Sequence, residues 1–327
     1  MKTNLITKIY STAIITAITV GVIGSLSSFK KDRPAAANAD DLKGTINISG
    51  AFALYPLTVK WAEEFKKLHP NVVFNVSAGG AGKGITDALE GLVDIGLNSR
   101  DVNPAEAKKG AYTIFVTKDA VIPTFNAGNP NAAALLKKGL KREEFEKIFV
   151  TGEIKNWNQL AGKVSVPIHV YTRSDAAGTG ETWAKYFNKK QEDLLGVGVY
   201  GDPGVAQAVK KDVTAIGYNS LAYLYDLKTR KPVAGVHPLP IDVNGNGKID
   251  ANENFYGTID ELTDAIASDK YPSPPARNLS FLFKGKPNKP EVVAFVKFVL
   301  TEGQKYVDEN GYIRLSKQKI AEELKKI

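Results

Sequence analysis

The chain has 327 residues, no cysteine and a formal net charge of +8. Its length favours two lobes or domains over one small core, and 43% hydrophobic with 24% charged residues is ordinary for a soluble globular protein. The lack of cysteine excludes disulfides, cysteine-ligated zinc, iron–sulfur clusters and thiol nucleophiles.

The first 39 residues have the order of a secretory signal peptide. Lys2 and Lys8 precede an apolar run over residues 13–26, and the small residues 37–39 offer a cleavage site. We therefore predict a signal peptide over residues 1–39, export to the periplasm or extracellular space, and no membrane insertion of the mature chain. An earlier cut and an uncleaved anchor remain the alternatives.

The positive charge does not indicate a nucleic-acid partner. The predicted signal peptide holds five of the 43 basic residues and one of the 35 acidic residues, which is half of the net charge. Charges of both signs alternate along the remainder, without a helix dense in Lys and Arg or an aromatic–basic ladder. We therefore expect no nucleic-acid binding.

From residue 44 onward, short β-like runs alternate with helical patterns. This alternation predicts an α/β fold with largely parallel sheets. The predicted strands cover residues 45–48, 72–76, 95–97, 166–171 and 215–218, and the predicted helices cover residues 56–68, 84–92, 180–188, 291–300 and 321–326.

Two proline-rich stretches, residues 121–130 and 271–275, are candidates for crossings between lobes. With two crossings, the middle of the chain forms one lobe and its two ends together form the other. The predicted organisation is therefore residues 40–122 with 277–327 as lobe 1, and residues 123–276 as lobe 2.

Three glycine-rich turns each lie between a predicted strand and a predicted helix, at residues 49–56, 77–84 and 173–181. Small residues let backbone N–H groups approach a ligand, and a helix N-terminus favours negative charge. If the three turns converge, with Arg100 and Arg173 nearby, they form an anion site without a catalytic group. Tight turns that hold no ligand are the alternative.

Motifs of nucleotide-binding and hydrolytic enzymes are missing from the sequence. The second turn has neither the Walker A spacing nor a G-x-G-x-x-G pattern, and no G-x-S-x-G elbow occurs. The three histidines lie in unrelated contexts, without a nucleophile–base pair. We therefore expect no enzymatic activity and no cofactor for activity.

Residues 242–253 match the calcium-binding loop of the EF-hand, D-x-[DN]-x-[DN]-G-x5-E, at every ligand position. We predict a lone loop with a structural Ca²⁺, because Pro240 disfavours a helix leading into it. An Asn/Gly-rich turn without metal is the alternative. The predicted ligands are Asp242, Asn244, Asn246, the carbonyl of Lys248, Asp250 through a water, and Glu253.

The three turns, in this order, resemble the PstS family of phosphate-binding proteins, which serve ABC importers. The resemblance implies two α/β lobes with two crossings and the ligand in the cleft, a type II-like periplasmic binding protein. The stretches that carry it are residues 50–56, 82–89, 94–96, 149–157, 173–179, 215–218 and 311–316.

The resemblance also implies a set of ligand contacts and a function. Phosphate is the expected ligand and an ABC permease the expected partner. Sulfate or another tetrahedral oxyanion is the alternative, and an extracellular phosphatase or calcium-dependent surface protein is less favoured. The implied ligand-binding residues are Ala53, Leu54, Ala81, Gly82, Ser99, Arg100, Arg173, Ala177, Gly178 and Thr179.

This chain departs from the family pattern at four of those positions. Ala53, Ala81 and Ala177 stand where the family usually has hydroxyl side chains. Ser99 stands where many members have an aspartate, which accepts the proton of hydrogen phosphate and so discriminates against sulfate.

Overall fold

The structure is a computed structural model that describes residues 42–327, and the predicted signal peptide lies outside the described residues. Strands and helices alternate along the described part, as predicted. The strands are β1 (Gly44–Gly50), β2 (Val72–Ala78), β3 (Ile95–Asn98), β4 (Ala111–Asn126), β5 (His169–Arg173), β6 (Val197–Val199), β7 (Ala215–Ser220), β8 (Val236–Pro238) and β9 (Ala276–Lys284). The helices are α1 (Tyr55–Leu68), α2 (Ala81–Leu89), α3 (Pro104–Lys108), α4 (Ala132–Lys138), α5 (Arg142–Phe149), α6 (Gly178–Tyr186), α7 (Gly201–Lys211), α8 (Ile259–Ala267), α9 (Pro290–Leu300) and α10 (Lys317–Leu324).

The strands form one continuous sheet in the order β2-β1-β3-β9-β4-β7-β5-β6, and β8 pairs with β4. Strand β1 runs parallel to β2 and β3, and β5 runs parallel to β6 and β7. In the centre, β4 and β9 are antiparallel to each other and to their neighbours. The expectation of largely parallel sheets is therefore wrong at the centre, because the two strands that connect the lobes run in opposite directions.

Two large hydrophobic cores define two lobes, and a small third cluster lies between α2 and β9. One core gathers buried side chains from residues 46–116 and 279–315, and the other gathers them from residues 120–276 together with Ile313. The two-lobed α/β architecture implied by the resemblance is thus confirmed. Both changes of core fall within strands, namely β4 and β9.

Strands β4 and β9 are the two connections between the lobes. They pair from Ala111 opposite Lys284 to Ala120 opposite Ala276, and the last part of β4 pairs with β7. The sequence analysis placed the first crossing at residues 121–130. In the structure, residues 121–126 complete β4 inside the second lobe, so the chain changes lobe before them.

The glycine-rich turns are shorter than predicted, because each gives part of its length to the following helix. Helix α2 begins at Ala81 rather than at residue 84, and helix α6 begins at Gly178 rather than at residue 180. The N–H groups in a first helical turn have no acceptor within the helix. The small residues of the turns therefore supply the first N–H groups of the helices, which have no acceptor within the helix.

Helix α1 illustrates how the sequence builds the first lobe. Pro56 occupies its first turn, where a missing N–H costs nothing, and Leu57, Trp61 and Phe65 lie on one buried face. The Trp61 indole N–H donates to the carbonyl of Gly303 at 2.8 Å. This bond fastens the C-terminal segment of the chain to the N-terminal helix, within one lobe.

Replacing Trp61 with Phe is expected to lower the free energy of unfolding by about 1–3 kcal/mol, because the buried carbonyl of Gly303 loses its donor. Urea denaturation measures the change. The exposed Leu68→Ala in the same helix is the control and should stay within about 0.5 kcal/mol of wild type. Equal stability of Trp61→Phe and wild type would show that the bond contributes nothing.

Candidate anion-binding site

The first turn joins β1 to α1 and is held by both lobes. Ala53 and Leu54 are fully buried, and the carbonyl of Ala53 accepts a hydrogen bond from the Tyr312 hydroxyl at 2.8 Å. The carbonyl of Phe52 accepts one from the Tyr223 hydroxyl, from the second lobe, at 3.0 Å. The N–H of Leu54 donates within the turn, to Ala51 at 3.1 Å.

The second and third turns touch each other across the cleft. The N–H of Gly82, in the first turn of α2, donates to the carbonyl of Ala176 at 3.0 Å. A Cβ atom on Gly82 would lie 2.6 Å from the Cβ of Ala176, and one on Gly80 would lie 2.5 Å from a carboxylate oxygen of Asp175. Only glycine at these positions permits this approach of the two lobes.

Ser99 and the N-terminus of α6 form a second contact between the lobes. Ser99 follows β3 and is buried, and its hydroxyl oxygen lies 2.1 Å from where a Cβ on Gly178 would be. Gly178 and Thr179 open α6, so their N–H groups have no intrahelical acceptor. The N–H of Ala177, just before the helix, donates to the side-chain oxygen of Gln191 at 2.9 Å.

Arg173 ends β5 and is buried among acidic and aromatic groups. Its Nε donates to Asp175 at 2.9 Å, its Nη1 donates to Asp202, and its guanidinium lies 5.4 Å from the centre of the Phe52 ring. Burial lowers the pKa of Arg173, but the charges of Asp202 and Asp175 outweigh that effect and hold the pKa above its usual value. The guanidinium is therefore a permanent cation at the cleft.

Asp202 lies in the first turn of α7 and its carboxylate is almost completely buried. Besides Arg173, it accepts hydrogen bonds from the Thr179 hydroxyl at 3.2 Å and from the Ser220 N–H and hydroxyl at 3.0 and 2.9 Å. A carboxylate is also favoured electrostatically at a helix N-terminus. Asp202 therefore accepts hydrogen bonds from Arg173 and Thr179, two residues that the sequence analysis assigned to the anion.

A second buried ion pair lies where the chain passes between the lobes. Arg277 on β9 is directly opposite Asp119 on β4, with Nε to Oδ1 at 2.7 Å. The same guanidinium donates to the Ser99 carbonyl at 3.1 Å and to the Ser220 hydroxyl at 3.0 Å. Burial raises the pKa of Asp119, and the charge of Arg277 opposes that rise.

Arg100 lies apart from this group. Its guanidinium is engaged by both carboxylate oxygens of Glu106, at 3.0 and 2.6 Å. Glu106 is also bound to the N–H of Asn103, in the capping box of α3. Arg100 also lines a neighbouring pocket of about 570 Å³ together with Lys185. The structure thus brings the three turns, Ser99 and Arg173 together. The Arg100 side chain is instead bound to Glu106 within the first lobe.

Sequence reasoning missed four residues of the buried polar group: Asp119, Asp202, Ser220 and Arg277. One signal was available, because Asp119 is a single acid within an apolar β-branched run and Arg277 comes two residues after the last proline of the second crossing. Charged residues at lobe crossings were therefore visible in the sequence. Their pairing with each other was not.

Two α/β lobes joined by two strands, with a buried polar cleft between them, define a two-lobed solute-binding protein of the periplasmic type. In agreement, a family model described as a PBP superfamily domain matches residues 35–302. The phosphate-binding protein PstS of Bacillus subtilis is 33% identical over 241 residues, covering 73% of this chain and 78% of that protein. The chain belongs to the PstS family of phosphate-binding proteins, as the resemblance indicated.

Further relatives agree over more of the chain. The phosphate-binding protein PstS of Pseudomonas aeruginosa is 25% identical over 332 residues and covers 93% of each chain. A phosphate ABC transporter substrate-binding protein of Clostridium perfringens, solved with bound phosphate, has a TM-score of 0.69 at 24% identity. The match covers 84% of this chain and 100% of that one, which supports the fold.

The Asp119–Arg277 pair is expected to behave as a coupled unit. Arg277→Met should lower the free energy of unfolding by about 3–5 kcal/mol, because it leaves a buried carboxylate without its counter-charge. In the double variant Asp119→Asn/Arg277→Met, part of this loss should be recovered. Urea denaturation of the two single variants and the double variant measures the coupling, and strictly additive losses would contradict it.

Proposed function

We propose that this chain captures inorganic phosphate outside the cytoplasm and delivers it to an ABC importer. The observation that carries the proposal is the meeting of the three turns around Arg173 and the start of α6. The relatives bear names of phosphate-binding and phosphate-transport proteins, which supports the same ligand and the same partner here. Among residues 42–327, no helix is long and apolar enough to cross a membrane.

The proposed ligand contacts are those implied by the resemblance, with Arg173, Ser99, Thr179 and the N–H groups of the three turns as donors. A hydrogen bond to a charged group contributes about 1.5–3 kcal/mol. Micromolar binding corresponds to about −8.2 kcal/mol, so a handful of such bonds is sufficient. The N–H groups of Leu54, Gly82 and Ala177 donate to oxygen atoms of the protein in this structure. They therefore contribute to phosphate binding only if the anion replaces those oxygen atoms.

The proposed role is binding without catalysis, and the relatives are named as binding proteins, which supports it. Calorimetric titration with phosphate tests it, and heat with saturation near one anion per chain is expected. Competition with sulfate tests the alternative ligand, and turnover of a chromogenic phosphate ester tests the alternative of a phosphatase. No heat and no thermal shift at millimolar phosphate would overturn the proposed function.

Gly178→Ala is expected to weaken phosphate binding by at least about tenfold. The added Cβ would lie 2.6 Å from the backbone carbonyl oxygen of Ser99, and backbone cannot move aside as a flexible side chain can. The two lobes would therefore be kept apart where the ligand has to bridge them. Calorimetry with phosphate measures the loss.

Gly257→Ala is the matched control for Gly178→Ala. Its Cβ would meet only the end of the Glu261 side chain, which can move, and the position lies outside the cleft. Its phosphate affinity should equal that of wild type. Wild-type affinity in Gly178→Ala would show that this contact between the lobes is not needed for binding.

We propose in addition that the loop at residues 242–253 holds a structural Ca²⁺. The carboxylates of Asp242 and Glu253 are buried, and Asp242 accepts from the N–H groups of Gly245 and Gly247, both at 2.8 Å. The side-chain oxygen of Asn244 accepts from the N–H of Asn246 at 3.0 Å. These hydrogen bonds fold the backbone of the loop around the oxygen atoms of its own side chains.

The oxygen atoms of the loop fit a hard cation that amide and carboxylate oxygens can coordinate. Among residues 42–327, no group of three or more His, Cys, Asp or Glu side chains is arranged to hold a metal. A Ca²⁺ ion here would therefore depend on the amide oxygens of Asn244 and Asn246 and on the carbonyl of Lys248 as much as on carboxylates. Calcium takes such mixed oxygen sets, whereas zinc prefers nitrogen and sulfur.

Glu253→Gln is expected to abolish a calcium-induced rise in melting temperature, because a neutral amide cannot supply the bidentate carboxylate of position 12. Differential scanning calorimetry with and without Ca²⁺ measures the rise. Glu302→Gln, an exposed change elsewhere, should keep it. A wild-type protein whose melting temperature ignores Ca²⁺ would reduce the loop to an ordinary turn.

A further inference from the structure

The side chain of Phe52 reaches from the first lobe onto the second. Phe52 lies between β1 and α1, and among residues 42–327 its ring joins neither of the two large hydrophobic cores. The ring instead meets the ring of Tyr200 edge-on, with 5.6 Å between the ring centres. It also lies against Gly201, where an added Cβ would be 3.0 Å from the ring. Phe52 therefore docks on the start of α7, in the other lobe.

The same ring covers the guanidinium of Arg173. The edges of that guanidinium donate to the carboxylates of Asp175 and Asp202, and its central carbon lies 5.4 Å from the centre of the Phe52 ring. An aromatic face attracts a cation, and the attraction is stronger where water is excluded. The Arg173 side chain is only 1% exposed. The cation of the proposed site is therefore held by carboxylates of its own lobe and by a ring of the other.

The backbone of Phe52 is bound to the second lobe as well. Its carbonyl accepts a hydrogen bond from the Tyr223 hydroxyl at 3.0 Å. Both the ring and the carbonyl of one residue thus contact the opposite lobe, and separation of the lobes breaks these contacts together. An anion held by the buried Arg173 and Thr179 can leave only when the groups that cover them move apart.

We propose that Phe52 is a positioning residue for anion binding, which closes the second lobe over the anion by covering Arg173 and packing on Tyr200. The inference rests on the proposed function and adds the group that retains the ligand. Phe52 acts through Arg173 and through the contact between the lobes. It therefore slows the release of phosphate and leaves the rate of capture unchanged.

The first test compares wild type with Phe52→Leu, which keeps an apolar side chain but removes the ring. Phosphate should dissociate at least about tenfold faster from the variant, because the cation–π contact and the aromatic pair are both lost. The association rate should stay within about twofold of wild type. A chase of bound radiolabelled phosphate with unlabelled phosphate measures the dissociation rate, and calorimetry supplies the affinity from which the association rate follows.

Phe74→Leu is the matched control. Phe74 is also half-buried and lies in the first lobe, where its ring packs against those of Phe65 and Phe295 at 6.0 and 5.0 Å between centres. The change removes a ring of the same size from the same lobe but not from the contact between the lobes. Its dissociation rate for phosphate should equal that of wild type. An equal acceleration in Phe74→Leu and Phe52→Leu would overturn the proposal.

A second test separates a contact between the lobes from a local role in the first turn. Tyr200 is 59% exposed on the second lobe, so Tyr200→Leu supplies a measurement even if Phe52→Leu fails to fold. Tyr200→Leu alone should release phosphate about twofold faster or more, because the aromatic pair is lost. In the double variant Phe52→Leu/Tyr200→Leu, the loss of affinity should be smaller than the product of the two single losses by about twofold or more.

The outcomes distinguish this inference from the proposed function. A wild-type dissociation rate in Phe52→Leu, or single losses that multiply fully in the double variant, would overturn the role of Phe52 while phosphate capture stands. A wild-type protein that binds no phosphate would overturn the proposed function itself.

Discussion

The buried guanidinium of Arg277 is the group on which the arrangement of the lobes depends. It lies on one crossing strand, opposite Asp119 on the other, and it also bonds to Ser99 of the first lobe and Ser220 of the second. A buried charge is tolerated only when its partners remain in place. The distance between the lobes at the base of the cleft is therefore set by the hydrogen-bond reach of one side chain.

Small residues then decide how closely the walls of the cleft can approach. Ser99 packs against Gly178, and Gly82 donates to the carbonyl of Ala176, so the two lobes meet backbone to backbone. At this separation, the first turn of α6 and the buried Arg173 lie close together, because Thr179 and Arg173 both donate to Asp202. In the proposed site, the alanines at positions 53, 81 and 177 offer no hydroxyl groups, so the proposed binding depends more on N–H groups and on Arg173.

Local sequence pattern predicted the first helix and the parallel strands of the first lobe well, and the long strands that cross between the lobes poorly. Helix α1 and strands β1, β2 and β3 were recognised because apolar side chains recur with the period of each element. Strand β4 was missed as a unit, since its prolonged apolar run faces two different cores and carries Asp119 and Pro123 inside it. Arg100 was assigned to the anion site because it lies near the turns in the sequence. In the structure, its guanidinium is instead bound to the carboxylate of Glu106.

The sequence by itself determined the α/β class, the three glycine-rich turns in their order, the family and the match of residues 242–253 to a calcium-loop pattern. These features depend on residues close together in the chain, where spacing and residue type carry the information. Only the tertiary structure decided that Arg277 pairs with Asp119, 158 residues away, and that Asp202 reaches Arg173 and Thr179. Such pairs form because charges must be neutralised where burial brings them together, and that place is set by how the whole chain packs.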